Sequence, residues 1–379
     1  MKVLVATTLF LGDVIVSMPL IQRIKDEYPD ASVDVLVAKG CEEVLEHQPA
    51  IRKVITYDKA GKDNGLSGIF AVAGRLRSEK YEMAFILPGS VRTAIAVYLA
   101  RIPRRIGTDQ STGIDLFLDR VKFPDEAKKI QGGKILFSLD NVWHVFRKND
   151  SFTSLFFTDV VKLNSNFSSI ERNLQLLEPL GVKGRSQQKY VPLQLSGEHQ
   201  AKSEKWFSES NAKTLIAIAP GTSWKTKQWP ASSFVDVIKQ LVEKKINVVL
   251  MGGAGDKEVC EKIFKDVGSS NVENVCGKFS VLESAALLQK CKLLLTNDSA
   301  AMHIAAAMDV STITIMGPTI PAFGYAPVGP KHTVVQVNDL WCRPCTPFGG
   351  EKCPTGTFHC TNRIEPDEVV SIVMKKVTE

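Results

Sequence analysis

The sequence predicts an α/β protein built from two doubly wound, Rossmann-like domains with parallel sheets. Three observations carry that reading. Apolar runs of strand length alternate with amphipathic runs of helix length. The turns after the apolar runs are polar, and several carry glycine. The alternation also starts afresh past the middle of the chain, whose 379 residues suffice for two domains of ordinary size. The expected division is residues 1–185, residues 186–362 and a C-terminal helix over 363–379.

Composition narrows the class. Hydrophobic residues are 44% and charged residues 23%, the balance of a folded globular protein. The formal net charge of +6 suits an acidic substrate or an anionic membrane surface without demanding either. No nucleic-acid partner is expected. The sequence has no apolar run of about 18 residues, so no membrane span is expected. Met1–Leu11 imitates a signal peptide, but Asp13 interrupts it and no small-x-small cleavage site follows, so secretion is not expected. Eight cysteines in a chain of this length then point to free thiols or a metal in a reducing compartment.

The first half opens with the strand Lys2–Thr8, the turn Gly12-Asp13 and a helix over Val14–Tyr28, which Pro29 ends. Strand Ser32–Val37 follows. The pattern continues through Val54–Tyr57, a helix near Ile69–Ser78, strand Met83–Leu87, a helix near Val91–Ala100 and strand Arg104–Gly107. The first turn, LFLGD, lacks the glycines of a dinucleotide fingerprint, so a nicotinamide cofactor is not expected. Asp13 lies where ligands bind in such sheets, at a strand's carboxyl end. An ionised aspartate there suits a general base, and a helix N-cap is the competing role. Arg92, in the first turn after PGSVRT, is followed by Arg101, Arg104 and Arg105. These arginines either hold an anionic acceptor or form a solvated face. Asp109–Asp150 reads as irregular.

Ile170–Leu180 reads as a helix, and the domain boundary falls in polar Gly181–Ser196, where Tyr190–Leu195 is strand-like. The second cycle runs through helix Glu198–Ser208, strand Leu215–Ala219, helix Ser232–Lys244, strand Val248–Met251, helix Lys257–Val267 and the stretch Val281–Leu288. Glu365–Lys376 forms a last helix, with Pro366 at its start. The loop Pro220–Pro230, PGTSWKTKQWP, brings a glycine, two hydroxyls, Lys225 and Lys227 together. Backbone amides, hydroxyls and a lysine make a phosphate cradle, although the spacing is not that of a P-loop.

In Leu293–Met308, LLLTNDSAAMHIAAAM, a buried strand passes through Asn297-Asp298-Ser299 into a buried helix. The start of that helix is an anion site, or else Asp298 or Ser299 simply caps it. His303, one turn in, is either a core histidine or a phosphate contact. Two domains of this kind facing one another would place an active site in the cleft between them.

Trp341-Cys342-Arg343-Pro344-Cys345 imitates a thioredoxin motif in the wrong context, because it ends a domain among prolines and glycines. Cys342, Cys345, Cys353 and Cys360, spaced C-x2-C-x7-C-x6-C, could instead hold a structural Zn or Fe, and unligated thiols are the alternative.

LGDV at the first turn, LPGSVRTA at Leu87–Ala94, IPRRIG at Ile102–Gly107, PGTSWKTKQWP, TNDSAAMHIAAA at Thr296–Ala307 and MGPT at Met316–Thr319 occur in one order along the chain. On these strings, and along nearly its whole length, the chain resembles the ADP-heptose:lipopolysaccharide heptosyltransferases of glycosyltransferase family 9, above all the heptosyltransferase II branch. The resemblance implies a GT-B fold, with an acceptor-binding N-terminal domain and a nucleotide-sugar-binding C-terminal domain. It implies inverting transfer of heptose from ADP-heptose to the lipopolysaccharide inner core, with no cofactor required. It further implies a cytoplasmic protein in peripheral contact with the inner membrane.

By matching position, the resemblance makes Asp13 the general base. Lys227, Thr222 and Ser223 would lie around the donor diphosphate. Gly12, Asp298, Ser299, Ala300 and His303 would contact the donor, and Asp256 would read its ribose. Arg92, Arg104 and Arg105 would meet a phosphorylated acceptor. Where the family usually has glycine this chain has Ala300, and related protein heptosyltransferases carry a four-cysteine iron site. A transferase using another nucleotide sugar, or a protein or other glycan acceptor, is the alternative reading. A non-catalytic metal or redox module is a third, and the joint presence of Asp13, Lys227 and Asp298 argues against it.

Overall fold

The architecture comes from a computed structural model, which describes residues 1–108, 153–182, 190–210 and 214–378. The described residues fall into two compact units, the first ending at Gln194 and the second starting at Leu195. The stretch Asp109–Asp150, read as irregular, lies outside the described residues.

The first unit carries β1 (Lys2–Thr7), β2 (Ser32–Ala38), β3 (Lys53–Tyr57), β4 (Met83–Ile86), β5 (Arg104–Thr108) and β6 (Asp159–Val161). They form one sheet in the order β3-β2-β1-β4-β5-β6, and every pair is parallel. Val3, Leu4 and Val5 are all fully buried, because helices cover both faces and a central strand has no wet side. The chain runs from β1 through helix Leu11–Glu27 to β2, and after β3 helix Gly65–Glu79 carries it back to β4 on the other side of β1. The order therefore reverses between β1 and β4, where a crevice opens at the strands' carboxyl ends.

The second unit repeats this plan with β7 (Leu215–Ala219), β8 (Asn247–Leu250), β9 (Val272–Asn274), β10 (Leu293–Asn297), β11 (Ser311–Ile315) and β12 (His332–Val335). Its parallel order is β12-β11-β10-β7-β8-β9, so the reversal lies between β7 and β10. One face of the sheet packs under helices Ala231–Glu243 and Pro366–Thr378. Trp229 is buried there, its ring edge-on to Phe234 at 4.9 Å and its indole N–H donating to the Ile364 carbonyl at 3.2 Å. Truncating such a side chain typically costs about 3–5 kcal/mol.

Three local expectations need correction. Tyr190–Leu195 joins no sheet: Val191 and Leu193 are buried in alternation, but Pro192 has no N–H for a ladder. The helix expected over 170–180 is Ser169–Gln175 followed by a 3-10 turn at Glu178–Leu180, because Pro179 cannot donate to a continuing helix. Gly12 and Asp13 are not a turn before a helix but the second and third residues of helix Leu11–Glu27.

Candidate active site

In the second unit, the loop after β7 and the turn after β10 meet at the reversal point. Asn297 ties them. Its side-chain amide donates to the Pro220 carbonyl at 2.7 Å, and its carbonyl oxygen accepts the Trp229 N–H at 3.1 Å, so one side chain pins both ends of the Pro220–Pro230 loop. Thr296 Oγ1 adds a bond to the Ala219 carbonyl at 2.9 Å.

The loop so held delivers Lys227 to Asp298, Nζ to Oδ2 at 2.7 Å, with both side chains largely buried. Thr319 Oγ1 donates to the same carboxylate oxygen at 2.7 Å, and Thr222 Oγ1 donates to the Asp298 carbonyl at 3.2 Å. Burial pushes the Asp298 carboxyl up, but the Lys227 charge and hydrogen bond, the Thr319 hydroxyl and nearby His303 together hold it below the usual carboxylate range. His303 is buried, and that burial lowers it to about 4 against the opposing pull of Asp298. At neutral pH it is a neutral imidazole beside an ion pair, not a cation.

Asp298 is not the cap of the next helix. Ser299 is, and its Oγ accepts the Ala301 N–H at 3.4 Å. Ala300 is the first helical residue with an ordinary negative φ, so the usual glycine's conformational freedom is not needed at this position. Ser223 stands exposed on the loop.

Asp256 closes the neighbouring turn after β8, accepting the Gly253 N–H at 2.9 Å. Its carboxyl group fills the space where a Cβ on Gly221 would stand, at 2.0 Å, and its Cβ lies 2.8 Å from one on Gly252. Only glycines let this carboxylate sit across the ends of β7 and β8.

The cysteine-rich segment bears on the metal expectation. Among the described residues no group of three or more His, Cys, Asp or Glu side chains is arranged to hold a metal ion. Cys353 Sγ lies 3.3 Å from Thr355 Oγ1 and accepts the Phe358 N–H at 3.5 Å, while burial pushes Cys345 up to about 12 and Cys360 to about 11. The described residues thus give no support to a Zn or Fe site at Cys342, Cys345, Cys353 and Cys360.

The segment instead braces the site. Gly350 and Thr226 exchange hydrogen bonds of 2.8 and 3.0 Å. Arg343 donates to the carbonyls of Met316, Gly317, Thr319 and Val337 and to the Gln336 side chain. It thereby fixes the loop that presents Thr319 to Asp298.

In the first unit, Asp13 is half-buried at the start of the helix that leaves β1, and its Oδ2 accepts the Phe10 N–H at 3.2 Å. The competing N-cap role falls to Phe10 instead, and Asp13 serves that end of the helix from the third position. Across the reversal, Thr8 Oγ1 lies 2.6 Å from Thr93 Oγ1, and Lys59 Nζ donates to the Thr8 carbonyl and hydroxyl, both at 2.8 Å. Arg92 donates to the Asp63 carbonyl at 3.1 Å and lies 5.9 Å from the Tyr57 ring centroid.

Arg104 and Arg105 are elsewhere. They open β5, opposite Met83 and Ala84, at the amino edge of the parallel sheet. Arg104 is engaged by Asp159 and by the Pro179 carbonyl; Arg105 by the carbonyls of Phe156, Ile102 and Pro103, with Tyr98 under its guanidinium. Their partners make them structural, which removes them from the expected acceptor set. Lys59, Asn297, Thr319 and Arg343 were not anticipated. Asn297 had a local signal in its place between the apolar strand and Asp298, and Thr319 had one in the MGPT string.

A family model described as glycosyltransferase family 9 (heptosyltransferase) matches residues 136–352, more than half of the chain. Lipopolysaccharide heptosyltransferase 2 of Salmonella typhimurium is 26% identical over 346 residues, covering 89% of this chain and 88% of that one. Among solved structures, a family 9 glycosyltransferase from Veillonella parvula superposes with a TM-score of 0.78 at 20% identity, over 100% of this chain and 97% of that one. The ADP-heptose lipopolysaccharide heptosyltransferase II of E. coli does so with a TM-score of 0.73 at 22% identity, over 100% and 99%. The fold is of the GT-B type, two Rossmann-like units. On the family match, the chain belongs to glycosyltransferase family 9, the heptosyltransferases.

Proposed function

We propose that the chain transfers heptose from ADP-heptose to the lipopolysaccharide inner core with inversion at the anomeric carbon. The observation that carries the proposal is the buried Lys227–Asp298 pair held at the β7/β10 reversal by Asn297, Thr222 and Thr319. Lysine's ammonium has three N–H groups, and Asp298 orients it while leaving donors for a diphosphate. The leaving ADP gains charge as the glycosidic bond breaks, and Lys227 with the Ser299 and Ala300 amides would stabilise it there. The Ala301 amide is occupied by the Ser299 cap and is not counted. Asp256 would read the ribose hydroxyls from the ends of β7 and β8, and Ser223 and Thr222 would line the phosphate path. Gly12 would let the donor approach the first helical turn. No metal or other cofactor takes part.

Asp13 takes the proton from an acceptor hydroxyl, which attacks the anomeric carbon as ADP departs. Such a base contributes about 10²–10⁴ in rate. The acceptor is the phosphorylated inner core, met at the carboxyl edge of the first sheet by Arg92. The protein works at the cytoplasmic face of the inner membrane in peripheral contact with it. Leu66 and Phe70, one turn apart on helix Gly65–Glu79 and 75% and 63% exposed, support that contact.

The test is product mass after incubation with ADP-heptose and a core-lipid acceptor, beside Asp13→Asn. Asparagine can still accept the Phe10 N–H, so the helix start is spared and only the base is lost. A one-heptose gain with wild type, lowered about 10²–10⁴-fold in the variant, is expected. No gain with wild type would reject the donor and acceptor, and equal gain from both would reject Asp13 as the base.

A further inference from the structure

Arg343 spends its guanidinium on neutral acceptors, and among the described residues no carboxylate pairs with it. Nη2 donates to the carbonyls of Thr319 at 2.6 Å and Met316 at 3.2 Å and to Gln336 Oε1 at 2.7 Å. Nη1 donates to the Val337 carbonyl at 2.9 Å, and Nε to the Gly317 carbonyl. The Cys345 N–H donates to the remaining carbonyl of that stretch, Pro318, at 3.2 Å. Every carbonyl of the buried stretch Met316–Thr319 is therefore held from the cysteine-rich segment. The planar guanidinium fixes the directions of its bonds as well as their number. Thr319 is the polar side chain of the stretch so held. Its hydroxyl donates to Asp298 Oδ2, the oxygen that Lys227 Nζ also meets, both at 2.7 Å.

A few residues on, the same segment grips the loop that carries Lys227. Gly350 donates to Thr226 Oγ1 at 2.8 Å and accepts the Thr226 N–H at 3.0 Å. Trp224 lies against Gly349. The φ of +100° at that glycine, and the 2.9 Å at which a Cβ there would meet the Trp224 side chain, both require glycine. Segment 343–350 thus holds both groups that meet on Asp298 Oδ2, the hydroxyl through Arg343 and the ammonium through Gly350. One ammonium N–H is spent on that oxygen, so the placement of Oδ2 decides where the others point. A displacement of about 1 Å in such a support can cost about 10²-fold in rate.

We infer that Arg343 is a positioning residue for the transfer: it holds Thr319 on Asp298, so that Asp298 aims the Lys227 ammonium at the leaving diphosphate. That the aim is at a donor's diphosphate rests on the function proposed above; the linkage from Arg343 through Thr319 to Asp298 does not.

A double-mutant cycle tests it in the full chain, with Arg343→Met, Thr319→Val and the two combined. Initial rates are measured with ADP-heptose and core lipid. Each single variant should lower kcat about 10–100-fold. The donor KM should rise by less than kcat falls, because the leaving group gains its charge in the transition state. The combined variant should be no slower than Arg343→Met alone, since both changes break one linkage. Thr319→Ser keeps the hydroxyl and should recover most of what Thr319→Val loses. Losses that multiply in the combined variant would overturn the inference, and so would an unchanged kcat in Arg343→Met. Denaturant unfolding checks that each variant folds, and Arg343→Lys, which keeps the charge but not the planar fork, replaces Arg343→Met in the cycle if the latter does not.

The same cycle is read without turnover, by calorimetric titration with inorganic pyrophosphate. Each single variant should weaken its binding, by no more than about tenfold, and the combined variant no further. A wild-type chain that binds no pyrophosphate would overturn the inference. Non-additive pyrophosphate binding in a chain that transfers no heptose would keep the positioning role and reject the proposed donor and acceptor. Multiplied losses in a chain that does transfer heptose would reject the positioning role alone, so the two failures are distinguishable.

Discussion

The two units share a sheet order and a reversal point, yet they treat a buried lysine in opposite ways. In the second unit Lys227 is matched by Asp298 within the chain, and hydroxyls and Asn297 fix the pair in place. In the first unit Lys59 faces Arg92 with no internal carboxylate among the described residues. A cation neutralised from within is pre-organised, and its position does not depend on a ligand. The same topology thus holds one lysine on a carboxylate and another on a threonine.

Removing each lysine should break the symmetry of that comparison. Lys227→Met leaves the Asp298 carboxylate buried without its partner. Turnover should fall about 10²–10³-fold, and stability should fall by about 3–5 kcal/mol, read by initial rates and by denaturant unfolding. If turnover stays within a factor of about two, Lys227 does not serve the leaving group.

His303 sharpens the comparison through pH. Folded, it takes up its proton only near pH 4; unfolded, it does so near 6.5. Between those values the unfolded chain holds the extra proton, so this histidine costs stability progressively as the pH is lowered from 6.5 to about 4, by roughly 3 kcal/mol in all. The stability-versus-pH curve of His303→Gln should be flatter than wild type across that window. Parallel curves would mean the imidazole is not held neutral beside the ion pair.

The smallest effect belongs to the first unit. Lys59→Met removes two hydrogen bonds to Thr8 but also a like-charge repulsion, so the unfolding midpoint should correspond to a stability within about 1 kcal/mol of wild type. A loss as large as that of Lys227→Met would show that Lys59 is a structural cation, and the contrast between the units would collapse.

Much of this was legible beforehand, for identifiable reasons. Leu215–Ala219 and Lys257–Val267 were readable to the residue, because a fully buried strand and a helix with a strong apolar face imprint their period on the sequence. The short strands β6 and β9 left no such imprint, since three residues cannot show a period. In strands β11 and β12 threonines and His332 interrupt the apolar run. Arg104 and Arg105 misled because a charged pair beside a motif says nothing about which end of a strand it occupies. In a parallel sheet that is decisive: the amino edge binds partners within the fold, and the carboxyl edge opens to ligands.

The sequence by itself determined the class of fold, the repeat of one architecture in two halves, and the segments that carry Asp13, Lys227 and Asp298, because backbone periodicity and turn chemistry are local. Only the tertiary structure decided which charges are matched. Lys227 meets a carboxylate 71 positions away, Arg343 secures the loop that brings Thr319 to it, and Lys59 reaches across the sheet to Thr8. Coulomb energy and desolvation depend on distance in space and on burial, and neither is written in the spacing of residues along the chain.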